Sequence, residues 1–155
     1  MALTAVGNDF PVFEDIQKYV VDAGNTAGNG DQIGTVPYNR GLYAAMLAAE
    51  AVKTAQGIHG VNDITAPMMR DGMEALEITD EKMAALGMAN FGPTFKVSCE
   101  NHGGPGVVAV TQWDATAQKW QTISGFEATD MDVIQPLIDA DSKAYAAENK
   151  IEAGC

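Results

Sequence analysis

Apolar positions recur at helical spacing through most of the first half of the chain and change to strand-like alternation only beyond Phe91. Val12, Phe13, Ile16, Tyr19, Val20 and Ala23 predict a helix from about Val12 to Ala23, with Gly24 as its stop. Tyr38, Leu42, Ala45, Met46, Ala49 and Val52 make a longer stripe between Val36 and Gln56, and its many alanines suit a central helix approached closely by a neighbouring layer. Thr65 ahead of Ala66-Pro67 reads as an N-cap, because proline is tolerated in a first turn where its missing N–H is not needed. Met68, Met69, Met73 and Leu76 give that helix its apolar side. Thr79 and Asp80 open another short helix, which runs through Leu86 and ends at Gly87.

Strand signals lie at the two ends. Ala2 to Val6 reads as one strand, closed by the turn residues Gly7-Asn8-Asp9. Phe95 and Val97 alternate, and Val107 to Trp113 with Trp120 to Ile123 predicts an antiparallel hairpin across a polar connection, Asp114 to Lys119. Thr129 and Asp132 have the spacing of a capping box, and the last helix is expected from Asp130 to Asn149 with Val133, Ile134, Leu137, Ile138 and Tyr145 as its apolar face. The glycine-rich stretch from Gly24 to Gly34 matches neither nucleotide-binding spacing and reads as a loop.

These elements predict an α/β chain with a helix-rich first half, a β-hairpin and a C-terminal helix. The distribution is uneven, since a doubly wound domain would alternate strand and helix several times. Four helical segments need a sheet to cover, and the sequence supplies little of it.

At 155 residues and 46% apolar content the chain has the size of one globular domain. Twenty-one acidic residues against 9 basic ones give a net charge of −12, which repels nucleic acid and anionic lipid. No run approaches the length of a membrane span, and Met1 to Val6 lacks the pattern of a secretory signal. Cys99 and Cys155 permit one disulfide without requiring it.

Few residues carry chemistry. Cys99 and His102 have the spacing of a nucleophile with its base or of two metal ligands, yet His59 is the only other histidine and Glu100 would raise the thiol pKa. The alternative is a turn in which Asn101 and His102 hydrogen-bond the backbone while Gly103 and Gly104 supply its angles. Asp130, Asp132, Asp139 and Asp141 match no calcium loop and read as a solvated helical face. Tyr38-Asn39-Arg40-Gly41 gathers an aromatic, an amide and a guanidinium where a loop meets a helix start, and Arg40 is able to pair with a carboxylate through two parallel hydrogen bonds.

The order Tyr38-Asn39-Arg40-Gly41-Leu42-Tyr43-Ala44-Ala45, the helical stretch from Thr65, the segment Phe95 to Gly104 and the hairpin Val107 to Trp120 resemble the C-terminal part of the periplasmic binding proteins of branched-chain amino-acid ABC transporters, the leucine/isoleucine/valine-binding family. The resemblance implies part of a two-lobed type I periplasmic-binding fold, with residues 1–92 giving mostly first-lobe helices and residues 93–155 returning toward the second lobe. It implies uptake of a branched-chain amino acid or a related small amide or carboxylate, a periplasmic location and docking on a membrane permease. It implies no enzymatic step and no cofactor. Tyr38 falls where the family lines its ligand pocket, with Asn39 and Arg40 as adjacent contributors. Family members are far longer, so an N-terminal portion of the same protein is expected as a missing partner. A small Cys/His hydrolase using Cys99 and His102, and a ligand-sensing receptor-type domain, are the alternatives.

Overall fold

A computed structural model describes residues 4–28 and 30–152. Helix α1, Val12–Ile16, runs directly into a π-helical turn, Gln17–Val21. There follow α2, Val36–His59; α3, Ala66–Glu74; β1, Glu77–Ile78; and α4, Asp80–Ala85. The remainder holds β2, Phe95–Lys96; β3, Val107–Val108; β4, Thr111–Asp114; β5, Lys119–Thr122; β6, Glu127–Ala128; and α5, Met131–Asn149. The fold is thus mixed helix and sheet. Among the described residues its strands form three separate antiparallel pairs, β1 with β2, β3 with β6, and β4 with β5.

The helix boundaries follow the sequence chemistry closely. Thr65 accepts from the Met68 N–H and Thr79 from the Lys82 N–H, so each hydroxyl satisfies one of the orphan donors of its helix start. Gly87 ends α4 with φ +68, a region that favours glycine. The same residue brings α1 onto α4: its carbonyl accepts from Val12 N–H at 3.1 Å, and a Cβ there would stand 2.8 Å from the Val12 nitrogen.

The core lies inside these helices. Phe13, Ile16, Tyr43, Ala51, Leu76, Ile78, Met83, Met88 and Phe91 form one buried cluster. Phe91 is fully buried, with the Phe10 ring edge-on at 5.1 Å and Phe13 at 6.0 Å. The Tyr43 hydroxyl donates to the Pro93 carbonyl, and burial pushes its pKa up to about 12, so the phenol stays neutral and the hydrogen bond is kept.

Three expectations need correction. The first predicted strand starts at Ala2, of which residues 2–3 lie outside the described set; Thr4 to Val6 carry no strand ladder, and Ala5 N–H donates to Phe91 C=O instead. The hairpin begins at Thr111 and not at Val107, because Val107 and Val108 pair with Glu127 and Ala128, a strand that the sequence pattern did not reveal. The capping box is not made. Thr129 Oγ1 donates to the Gly106 carbonyl, and Asp130 precedes α5 without a side-chain cap.

Candidate functional site

A cavity of about 1040 Å³ opens between the helical body and the β4–β5 hairpin. One wall is the turn segment from Ala5 to Phe10, another the first turn of α2 at Thr35, Val36 and Pro37, and a third the strand β5 with Ser124 to Phe126. Gly7-Asn8-Asp9 bends the chain so that Gly7 N–H meets the Gly34 carbonyl at 3.0 Å, which seats the turn beside the start of α2. On the far side, Trp113 and Trp120 face each other across the hairpin with ring centroids 5.6 Å apart, and Trp120 reaches the cavity wall. The polar end of the hairpin is fixed by Asp114, whose carboxylate accepts the Ala117 and Thr116 N–H groups; these bonds hold its pKa below the usual carboxylate value.

The chemistry of this cavity is that of contact and hydrogen bonding. Phe10, Trp120 and Phe126 supply aromatic surface, Lys119 a cation, and Asp9 a carboxylate. Two of its hydroxyls are already committed, Ser124 to Val110 N–H and Gly125 C=O, and Thr35 to Gln32 C=O. Among the described residues neither a histidine nor a cysteine lines it, so they supply no thiol nucleophile with an adjacent imidazole base. The sequence pattern does not gather these residues, since they come from four separated segments; the turn signal at Gly7-Asn8-Asp9 and the strand from Trp120 are its legible parts.

The three residues of the Tyr38-Asn39-Arg40 group have different surroundings. Tyr38 packs its ring against Phe13, 6.3 Å away, as a partly buried edge of the core. Asn39 is fully buried and its Nδ2 donates to both the Ala5 and the Gly7 carbonyls at 2.9 Å, so it pins the N-terminal segment to α2. Arg40 is exposed on the outer side of the same turn. None of the three lines the cavity.

Cys99 is disulfide-bonded, and Cys155 lies outside the described residues. With its sulfur oxidised, Cys99 is no nucleophile, which removes the basis of the Cys99/His102 hydrolase. The turn reading holds in part. Ser98 and Asn101 exchange backbone hydrogen bonds, Asn101 Oδ1 accepts from Gly103 N–H, and Gly104 takes φ +74. His102 instead points across to Glu74 at 4.0 Å, while His59 pairs with Asp71 at 3.0 Å, so the two histidines join α2 and the turn to α3. Asp130, Asp132, Asp139 and Asp141 are exposed, and Asp139 accepts from Gln135 one helical turn earlier.

The strongest charged arrangement is structural. Glu50 on α2, 7% exposed, receives Lys53 at 2.6 Å and Lys82 of α4 at 3.1 Å. The Lys53 hydrogen bond, against the opposing effect of burial and with help from Lys82, lowers the Glu50 pKa. A depressed carboxylate pKa adds stability that is present above the unfolded value and lost as pH falls through the folded one. Glu50→Gln is therefore expected to cost about 2 kcal/mol at pH 7. It should also flatten the acid limb of the stability curve below about pH 4.5. Urea titrations of both proteins at stepped pH check this, and an unchanged acid limb would refute it.

No protein-family model matches the chain, and no curated protein matches it. Among solved structures it is similar to a crystal structure described as an ABC transporter permease from the Pseudomonas fluorescens group, with a TM-score of 0.89 and 32% sequence identity. The likeness covers 99% of this chain and 37% of that one, so the chain spans well under half the length of its solved relative. The expectation of a branched-chain amino-acid-binding protein is corrected by this finding, as are its periplasmic location, its small-molecule ligand and its pairing with a separate permease. The relative is itself described as a permease. The receptor-type sensor and the hydrolase find no support either. The physical reason is plain: the order of helices and hairpin specifies a backbone arrangement, while a role rests on a site; Tyr38 packs on Phe13 and Asn39 clamps Ala5 and Gly7, whereas Arg40 is exposed.

Proposed function

We propose that the chain is part of the permease component of an ABC transporter, a portion folded outside the bilayer. The likeness to the Pseudomonas permease over 99% of the chain supports this reading. Among the described residues no helix is long and apolar enough to cross a membrane, which is why the proposal assigns it to the extramembranous part. The portion contributes binding and packing surface to transport and performs no covalent chemistry of its own. The two-lobed α/β arrangement expected from the sequence is the finer architecture of this proposal. Affinity purification of the intact gene product from detergent-solubilised host membranes tests it. An ABC ATPase subunit should co-purify, and a product that washes free of membranes in salt with no ATPase subunit attached would refute the reading.

A further inference from the structure

Trp113 of β4 and Trp120 of β5 stand directly opposite each other in the hairpin register, with ring planes at 65° and centroids 5.6 Å apart. They are 48% and 50% exposed, although Trp120 also borders the cavity. An edge-to-face pair of indoles half open to water is a concentrated apolar patch for so small an element. The pair lies one step from Asp114 and Lys119, the last partners before the connecting turn, so both rings stand near the free end of the hairpin. Between Gly103 and Phe126 those two are the only Asp, Glu, Lys or Arg side chains, and their charges cancel, whereas the whole chain carries −12. The acidic repulsion that keeps the rest of the molecule from a lipid surface is locally absent here. Helix α5 exposes Leu137 and Tyr145 as well, but it bears Asp132, Asp139, Asp141 and Glu148 against Lys143 alone.

We propose that the Trp113–Trp120 end of the β4–β5 hairpin is a membrane-contact site that seats in the headgroup layer of a zwitterionic bilayer. This rests on the reading of the chain as an extramembranous portion of a permease, which puts a bilayer beside it. Indole suits that layer because its ring is apolar while its N–H still finds a polar partner. The backbone sets the depth. Among the described residues β4 and β5 pair with no third strand, so the N–H and C=O groups along the outer edges of the ribbon need water, and the hairpin goes no deeper than the hydrated interface. Charge selects the lipid: a neutral hairpin on a molecule of −12 favours zwitterionic headgroups and is driven off anionic ones.

The chain has 2 tryptophans and both are in this hairpin, so its tryptophan fluorescence reports the site alone. Phosphatidylcholine vesicles added to the intact chain should move the emission maximum to shorter wavelength, and lipid brominated near the headgroup end of its acyl chains should quench it. Vesicles rich in phosphatidylglycerol should bind more weakly at low salt. In co-sedimentation with phosphatidylcholine, Trp113→Ala and Trp120→Ala should each weaken partition about tenfold, the scale of keeping half an indole surface out of lipid, with the helical circular dichroism unchanged. The wild-type spectra decide the matter should either variant fail to fold. Because the vesicles hold no transporter component, the result bears on the hairpin and not on the ATPase association that tests the transporter reading. An emission maximum unmoved by phosphatidylcholine, tighter binding to the anionic vesicles, or partition unaffected by either substitution would each overturn the proposal.

Discussion

Phe91→Ala is expected to lower the unfolding free energy by about 4 kcal/mol, the scale of a fully buried aromatic whose site cannot collapse. Phe91 is 0% exposed and sits where Phe10 and Phe13 both meet it, so its removal strands two further rings beside an empty volume. Its backbone is engaged at the same point, accepting from Ala5 N–H at 2.7 Å and donating to Met88 C=O at 2.9 Å, which holds the surrounding chain open around the missing ring. Phe91→Leu keeps more of the volume and should cost under about 1.5 kcal/mol. Urea unfolding followed by circular dichroism at 222 nm compares the two. Equal midpoints for wild type and Phe91→Ala would show that this cluster is not the stabilising core.

The helices were legible because local chemistry and burial agree in them. Thr65 and Thr79 cap where their hydroxyls predict, and Gly87 stops α4 for a reason present in its own missing side chain. The strands were less legible because each is only two to four residues long, and the pairing that defines them comes from outside the segment. Val107-Val108 reads as the start of a hairpin by β-propensity alone, yet its partner is Glu127-Ala128, which has no apolar alternation to announce it. The Thr129 hydroxyl fits a capping box in sequence and is claimed in space by Gly106, a tertiary partner that no local window contains.

The candidate site was legible only in fragments. Asn39 drew notice for its place at a helix start, and that place is indeed where its amide does something specific, but the recipients are backbone carbonyls more than thirty positions away in sequence. Tyr38 illustrates the general difficulty. An aromatic at helical spacing serves a core or a pocket equally well on paper, and the ring of Phe13 decides between them here. The cavity itself depends on the Gly7-Asn8-Asp9 bend lying opposite β5, a juxtaposition set by the whole chain path. Cys99 and His102 are neighbours along the turn with different ties, one oxidised and one aimed at Glu74, and spacing alone could not separate them.

Gly72→Ala is expected to destabilise the protein by about 3 kcal/mol, against the usual rule that alanine stabilises a helix interior over glycine by up to about 1 kcal/mol. Gly72 lies in α3 where that helix crosses α2, and a Cβ built on it would stand 2.4 Å from the Ala51 carbonyl oxygen and 2.7 Å from the Ala55 Cβ. Two of the three nearest atoms are backbone, the Ala51 oxygen and the Ala55 nitrogen at 2.9 Å, so no side chain can rotate away to make room. Ala51 and Ala55 are themselves buried to 1% and 0% exposure, which leaves separation of the two helices as the remaining response. That separation also strains the His59–Asp71 pair, which links the same two helices one turn away. Gly72→Val, with two more methyl groups at the contact, should cost more than Gly72→Ala, whereas a pure propensity effect would make Gly72→Ala the more stable protein. Thermal unfolding of the three chains side by side separates these cases: midpoints falling in the order Gly, Ala, Val support the close crossing, and a rise for Ala would refute it.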